Sequence, residues 1–157
     1  MILIKNGRLV DPLSKRDEVV DIVIENDKIK EIGKNLNPDG FEYVIDATGC
    51  VVAPGLIDIH VHFRDPGFTY KEDIFSGAKA AAKGGFTTVV CMANTKPVVD
   101  NKETLKYILD KGKESDINVL QVSTVTKGLK GKELVDMELL AEHGAAGFTD
   151  DGIPIMD

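Results

Sequence analysis

The sequence predicts an α/β protein in which a small β domain leads into the opening units of a parallel sheet flanked by helices. Three observations carry that expectation. Up to Ala53, short aliphatic and β-branched runs alternate with turn pairs. From Pro54-Gly55 onward, apolar runs alternate with amphipathic stretches of helical period. The composition, 43% hydrophobic and 29% charged over 157 residues, is that of a chain able to build a core.

The first region, residues 1–53, opens with Ile2-Leu3-Ile4, then Asn6-Gly7, then Arg8-Leu9-Val10. Asn-Gly between two apolar runs is a strong hairpin signal. Asp21 to Glu25 forms the next strand, Asn26-Asp27 the next turn, and Lys28 to Ile32 alternates polar and apolar residues. Tyr43 to Asp46 and Cys50 to Ala53 complete a small antiparallel β domain.

In the second region, residues 54–157, Leu56 to His62 reads as a strand. A helical stripe of Ile74, Ala78, Ala81 and Ala82 ends at Gly84-Gly85, a C-terminal cap signal. Thr87 to Ala93 is almost unbroken in apolar character, as in a parallel strand buried on both faces. Leu105, Ile108, Leu109 and Gly112 mark a second helix with Asp100 or Asn101 as its N-cap. Val119 to Val125 is a third strand, Leu134, Met137, Leu140 and Ala141 mark a third helix, and Ala145 to Phe148 begins a fourth strand. About 100 residues follow Pro54, whereas a complete (β/α)8 barrel takes about 250. Either the chain is part of a longer protein or the sheet is a smaller one in its own right.

Charge and cysteine usage narrow the function classes. A net charge of −7 and a pI near 5.0 argue against nucleic-acid partners. Gly84-Gly85 is not followed by a phosphate-loop pattern. Cys50 and Cys91 are too few for a disulfide scaffold and read as reduced, buried thiols. The N-terminus lacks a long apolar leader segment, and no stretch approaches the roughly 20 apolar residues of a membrane span. A soluble cytoplasmic protein is expected.

The residues that suggest chemistry sit at strand ends. In Ile57-Asp58-Ile59-His60-Val61-His62 the strand period of two places both histidines on one face. At the C-terminal end of a parallel strand, such a pair can converge on one metal ion or on two neighbouring ions; two ordinary hydrogen-bonded histidines are the plainer reading. Arg64 follows, suited to bidentate capture of a carboxylate, unless it is a loop arginine paired with Asp65. Asn94 lies just past the second strand, where it would contact a substrate or simply cap a turn. Of the adjacent Asp150 and Asp151, one is expected to face inward as a hard donor toward the histidines, unless the pair only forms a turn. His143 is explained by the end of the third helix. Lys79, Lys83, Lys106, Lys111 and Lys113 are assigned to solvated helix faces.

Taken together, these blocks resemble a known family. The run Pro54-Gly55-Leu56-Ile57-Asp58-Ile59-His60-Val61-His62-Phe63-Arg64-Asp65-Pro66-Gly67 resembles the signature of the dihydroorotases, within the amidohydrolase superfamily. Ile45 to Gly49, Gly84 to Thr88 and Phe148 to Gly152 resemble further blocks of that family, so the likeness covers essentially the whole chain. It implies the N-terminal part of a (β/α)8 barrel preceded by strands of a small β-sandwich domain. It implies His60, His62 and Asp151 as metal ligands for one or two Zn2+ ions, in a bacterial branch that uses an aspartate. His62, Arg64 and Asn94 would bind substrate. Ala93 departs from the family, which usually has proline there, and that difference is expected to loosen the approach to Asn94.

The reaction the resemblance implies is reversible hydrolysis of L-dihydroorotate to N-carbamoyl-L-aspartate in pyrimidine biosynthesis. Two further histidine ligands and a proton-carrying aspartate are expected from later strands beyond Asp157, so no catalytic acid or base is assigned within this chain. A homodimer or a complex with aspartate transcarbamoylase is implied as an assembly, and a non-catalytic scaffold for that partner is the rival from another class. Hydantoinases, dihydropyrimidinases and allantoinases share the histidine pair but generally bridge their metals with a carboxylated lysine. No lysine stands in Ala145 to Gly152.

Overall fold

In the computed structural model, which describes residues 1–156, the chain separates into one unit ending at Pro54 and another beginning at Gly55. The first unit is a five-stranded sheet. Its strands are β1 (Ile2–Asp11), β2 (Arg16–Glu25), β3 (Lys28–Gly33), β4 (Tyr43–Asp46) and β5 (Val51–Val52), in the order β3-β2-β1-β4 with β5 also on β1. Leu9, Val20 and Ile22 form its core, with Ile4, Ile24, Ile32 and Val52 packed around them.

Two expectations for this unit, an antiparallel sheet and a hairpin at Asn6-Gly7, are corrected. The sheet is mixed, because β4 and β5 pair parallel to β1. A single sheet accounts for its strands, and the second layer of a sandwich is not among the described residues. Asn6-Gly7 makes no hairpin: β1 runs through it with a bulge between Ile4 and Gly7. A tight hairpin of that kind needs two consecutive positive φ angles, and here only Asn6 has one, at 61°. Two residues, Lys5 and Asn6, therefore oppose the single Asp21 of β2. The β1–β2 connection lies at 12–15 instead, where Asp11 accepts from the Leu13 amide (3.0 Å) and the Ser14 hydroxyl. Asn26-Asp27, with φ of 50° and 59°, does make the tight turn from β2 to β3.

The second unit holds β6 (Leu56–Val61), α1 (Ile74–Lys83), β7 (Phe86–Cys91), α2 (Lys102–Gly112), β8 (Asn118–Gln121) and α3 (Met137–Glu142). Strands β6, β7 and β8 are parallel and adjacent in that order. Asp73 and Ser76 form a reciprocal capping box on α1, and Asn101 caps α2 by accepting the Thr104 amide at 2.9 Å. Ile74 and Ala78 of α1 and Leu105 and Ile108 of α2 pack with Val89, Cys91 and Val119 of the sheet into one core. Gly112 stands where α2 crosses Val119, since a Cβ there would lie 2.9 Å from the valine Cβ.

The third strand is shorter than its apolar run, and the fourth is not a ladder strand. Past Gln121, Val122 still donates to the Cys91 carbonyl (3.1 Å) and Ser123 to the Gly147 carbonyl (2.9 Å), but then Thr124 donates to the Val99 carbonyl at 2.9 Å, and Val125 and Thr126 donate to the Asp150 carboxylate. Residues 145–148 join that irregular stretch through one parallel bridge, Ser123 to Phe148. Leu134 lies outside α3, opposite Thr126 in an isolated bridge. β7 is covered on one side only: Val89 and Cys91 are buried, Thr87 is exposed, and Thr88 and Val90 are half-buried. Of the two cysteines Cys91 is buried, but Cys50 is exposed because it lies in the turn ahead of the two-residue strand β5.

Candidate metal centre

The end of β6 and the segment after residue 148 bring three ligand types together. His60, His62 and Asp151 each offer an atom such that all three lie within 4.8 Å of one another. The rings of His60 and His62 have centroids 5.2 Å apart, as the strand period requires. His60 Nε2 stands 3.4 Å from Asp151 Oδ1, and His62 Nε2 stands 3.5 Å from Asp151 Oδ2. These gaps are longer than the roughly 2.7–2.9 Å of a charge-assisted hydrogen bond. They match two donors on one small cation, since ligands about 2.1 Å from a tetrahedral ion lie about 3.4 Å apart. The residues present therefore fit a zinc-sized ion.

Asn94 orients this set. Its Oδ1 lies 3.0 Å from His62 Nδ1, and its Nδ2 donates to Asp151 Oδ2 at 3.4 Å. An amide oxygen can only accept, so Nδ1 carries the proton and His62 Nε2 keeps its lone pair for a metal. The side chain put forward for substrate is thus engaged with both a histidine and the aspartate. Ala93 itself is buried, and its carbonyl accepts the Val99 amide at 3.1 Å.

Asp150 and Asp151 diverge where the chain leaves the bridge at Phe148 and enters a turn. Asp150 turns away from the histidines and is buried, accepting the amides of Val125 (2.8 Å) and Thr126 (3.1 Å) and the Thr126 hydroxyl. It ties the segment carrying Asp151 to the extension of β8. The Asp150 carbonyl closes a turn with the Ile153 amide at 2.9 Å.

Arg64 is half-buried in the loop after β6, and its guanidinium makes no ion pair or hydrogen bond among the described residues. Asp65, the neighbour that could have neutralised it, is taken by α2: Lys111 Nζ donates to Asp65 Oδ2 and the Tyr107 hydroxyl donates to Oδ1 at 3.0 Å. Lys111 was assigned to a solvated helix face, and here it is instead the partner of a fully buried carboxylate. Its ammonium stays protonated beyond the usual lysine range because of the Asp65 hydrogen bond. A separation of 46 residues hides this pair from any local pattern. His143 caps α3 and holds the Leu139 carbonyl at 2.8 Å, apart from the site.

Comparison with known proteins bears directly on this geometry. A family model described as Dihydro-orotase-like matches residues 49–157. The chain belongs to that family. It is 64% identical over 157 residues to a dihydroorotase of Clostridioides difficile, covering 100% of this chain and 37% of that protein. It is 62% identical to a dihydroorotase of Clostridium acetobutylicum, again over 100% of this chain and 37% of the relative. Among solved structures, a D-hydantoinase (dihydropyrimidinase) from Thermus sp. superposes with a TM-score of 0.68 at 33% identity, over 90% of this chain and 31% of that one. The chain thus spans little more than a third of the relatives it matches. No helix among the described residues is long and apolar enough to cross a membrane.

Proposed function

We propose that this chain carries the first part of the active site of a zinc-dependent dihydroorotase, which reversibly hydrolyses L-dihydroorotate to N-carbamoyl-L-aspartate in pyrimidine biosynthesis. The observation that carries the reading is the convergence of His60, His62 and Asp151 beside an Arg64 left without a partner. On this reading β6 to β8 are the opening strands of a (β/α)8 barrel, and the further histidine ligands and the proton-carrying aspartate belong to the part of the relatives that this chain does not span.

His60, His62 and Asp151 would hold the zinc, which when bound supplies Lewis-acid polarisation of the ring amide and brings the acidity of water toward neutral pH. Asn94 keeps His62 in the tautomer that presents Nε2. Arg64 offers two parallel donors to the ring carboxylate, which fixes the substrate against rotation and works by positioning. Asn94 retains a second amide hydrogen for the same carboxylate, and His62, hydrogen-bonded to Asn94, would contact the substrate beside it.

The likeness to a D-hydantoinase supports a second reading, a cyclic amidase for rings without a carboxylate. Against it, an aspartate closes the histidine cluster where a lysine would be expected.

The test is metal analysis and steady-state turnover of the full-length protein. About one to two zinc ions per chain and hydrolysis of dihydroorotate are expected, with both lost in H60A and D151A. Equal turnover of dihydrouracil and dihydroorotate would establish the hydantoinase-type reading. A metal-free protein without turnover on either ring would leave only the scaffold role.

A further inference from the structure

We propose that Lys111 and Tyr107 are positioning residues that hold the Asp65 carboxylate away from Arg64, and so keep the Arg64 charge available to an anionic group on the substrate. The proposal rests on the reading of Arg64 given above.

Arg64 and Asp65 are chain neighbours in the loop that leaves the metal-ligand strand. Left to itself, a carboxylate beside an unpaired guanidinium would pair with it and cancel the charge on which anion capture depends. The fold prevents this by committing Asp65 elsewhere. Its side chain is 0% exposed and receives two donors from one face of α2, Tyr107 and Lys111, which stand four residues apart and therefore line up. The ammonium is itself fixed. It lies 5.4 Å from the ring centroid of Phe75 on α1 and 5.5 Å from that of Tyr107, an aromatic seat on two helices.

The loop cannot easily swing to undo the arrangement. Phe68 donates to the Arg64 carbonyl at 2.8 Å, and Lys96 donates to the Pro66 carbonyl at 3.1 Å. Gly67, at φ 91°, presses against the Lys96 carbonyl where any Cβ would collide. Two backbone bonds and a close approach thus set the direction of Asp65, and α2 supplies the charge that satisfies it. Removing the ammonium alone would leave a buried carboxylate short of a partner, with Arg64 as its neighbour in sequence.

The experiment is a double-mutant cycle in the zinc-loaded full-length protein, read by steady-state kinetics on dihydroorotate. K111M is expected to raise KM about tenfold while kcat stays within about twofold and zinc content is unchanged. Y107F should move KM in the same direction by a smaller factor, and it serves in place of K111M if that variant fails to fold. D65N combined with K111M removes the stranded carboxylate, and KM should return to within about threefold of the parent. A double variant no better than K111M, or a K111M whose kcat and zinc content fall while KM holds, would overturn the proposal. Arg64→Gln separates the two levels. If it leaves KM unchanged, the reading of Arg64 has failed and the proposal with it; if it raises KM while K111M and Y107F do not, only the proposal has failed.

Discussion

At the scale of single residues, the least conspicuous member of the site does the most to organise it. Asn94 spends its amide oxygen on His62 and one amide hydrogen on Asp151. Groups that orient a metal ligand commonly tune affinity by about 10–100-fold. In the full-length protein, N94A should therefore weaken zinc retention by at least about tenfold in a chelator competition, while N94D, which keeps an acceptor opposite Nδ1, should lose less. Equal zinc affinity in N94A and the parent would show that the contact does not orient His62. The cysteines give a second test. Burial pushes the Cys91 thiol up to about 12, whereas Cys50 is exposed. One thiol should react quickly with a disulfide reagent in native protein and the other only after unfolding; two fast equivalents would contradict the packing around Cys91. The histidine pair was legible in the sequence because a strand's period depends only on spacing. The partners of Asn94 and Asp65 were not, because they come from elements distant in sequence.

At the scale of elements, the first sheet turns on Asp21. The bulge at Lys5-Asn6 leaves a gap in the ladder that the Asp21 carboxylate fills, accepting the amides of Asn6 (2.8 Å) and Leu36 (2.9 Å) and the Lys5 ammonium (3.3 Å). Burial by itself would raise this carboxyl, but the two amides and the ammonium outweigh it and hold it below its usual range. The sign follows: its contribution to stability is complete above the unfolded carboxyl value of about 4 and is lost as pH falls through the lowered folded value. D21N should cost about 2 kcal/mol at neutral pH and flatten the acid limb of the stability curve, measured by urea unfolding between about pH 7 and pH 3. An unchanged acid limb would place the acid sensitivity elsewhere. The sequence signal at Asn6-Gly7 announced a local departure from extended backbone, and a departure is what occurs. Whether it became a hairpin or a bulge depended on Asp21 of the neighbouring strand. The same limit explains residues 145–148, where Ser123 still donates to the Gly147 carbonyl but the next donors, Thr124 to Thr126, go to Val99 and Asp150 and end the pairing.

At the scale of the whole molecule, apolar patterning that was legible in the sequence is not matched by burial. Ile57 and Ile59 alternate along β6 as core residues should, yet they are 63% and 73% exposed. On the same unit, an apolar groove of about 240 Å³ lies open between α1 and the sheet, lined by Val61, Phe63, Ala80, Ala81 and Phe86. Within the first unit, Val19, Ile29, Tyr43, Val44, Ile45 and Val51 are likewise exposed. Exposed apolar side chains in such number favour association in water, and those patterned for burial gain from being covered at about 25 cal/mol per Å². Residues 1–157 expressed alone should therefore bind a hydrophobic dye, sediment as a concentration-dependent mixture and turn over no dihydroorotate, while the full-length protein sediments as one species and binds little dye. A monodisperse monomer of residues 1–157 with a cooperative melt would show that β6 and the α1 groove tolerate water. Zinc-dependent turnover by that monomer would further show that three ligands suffice, and that the proton-carrying group lies within this chain.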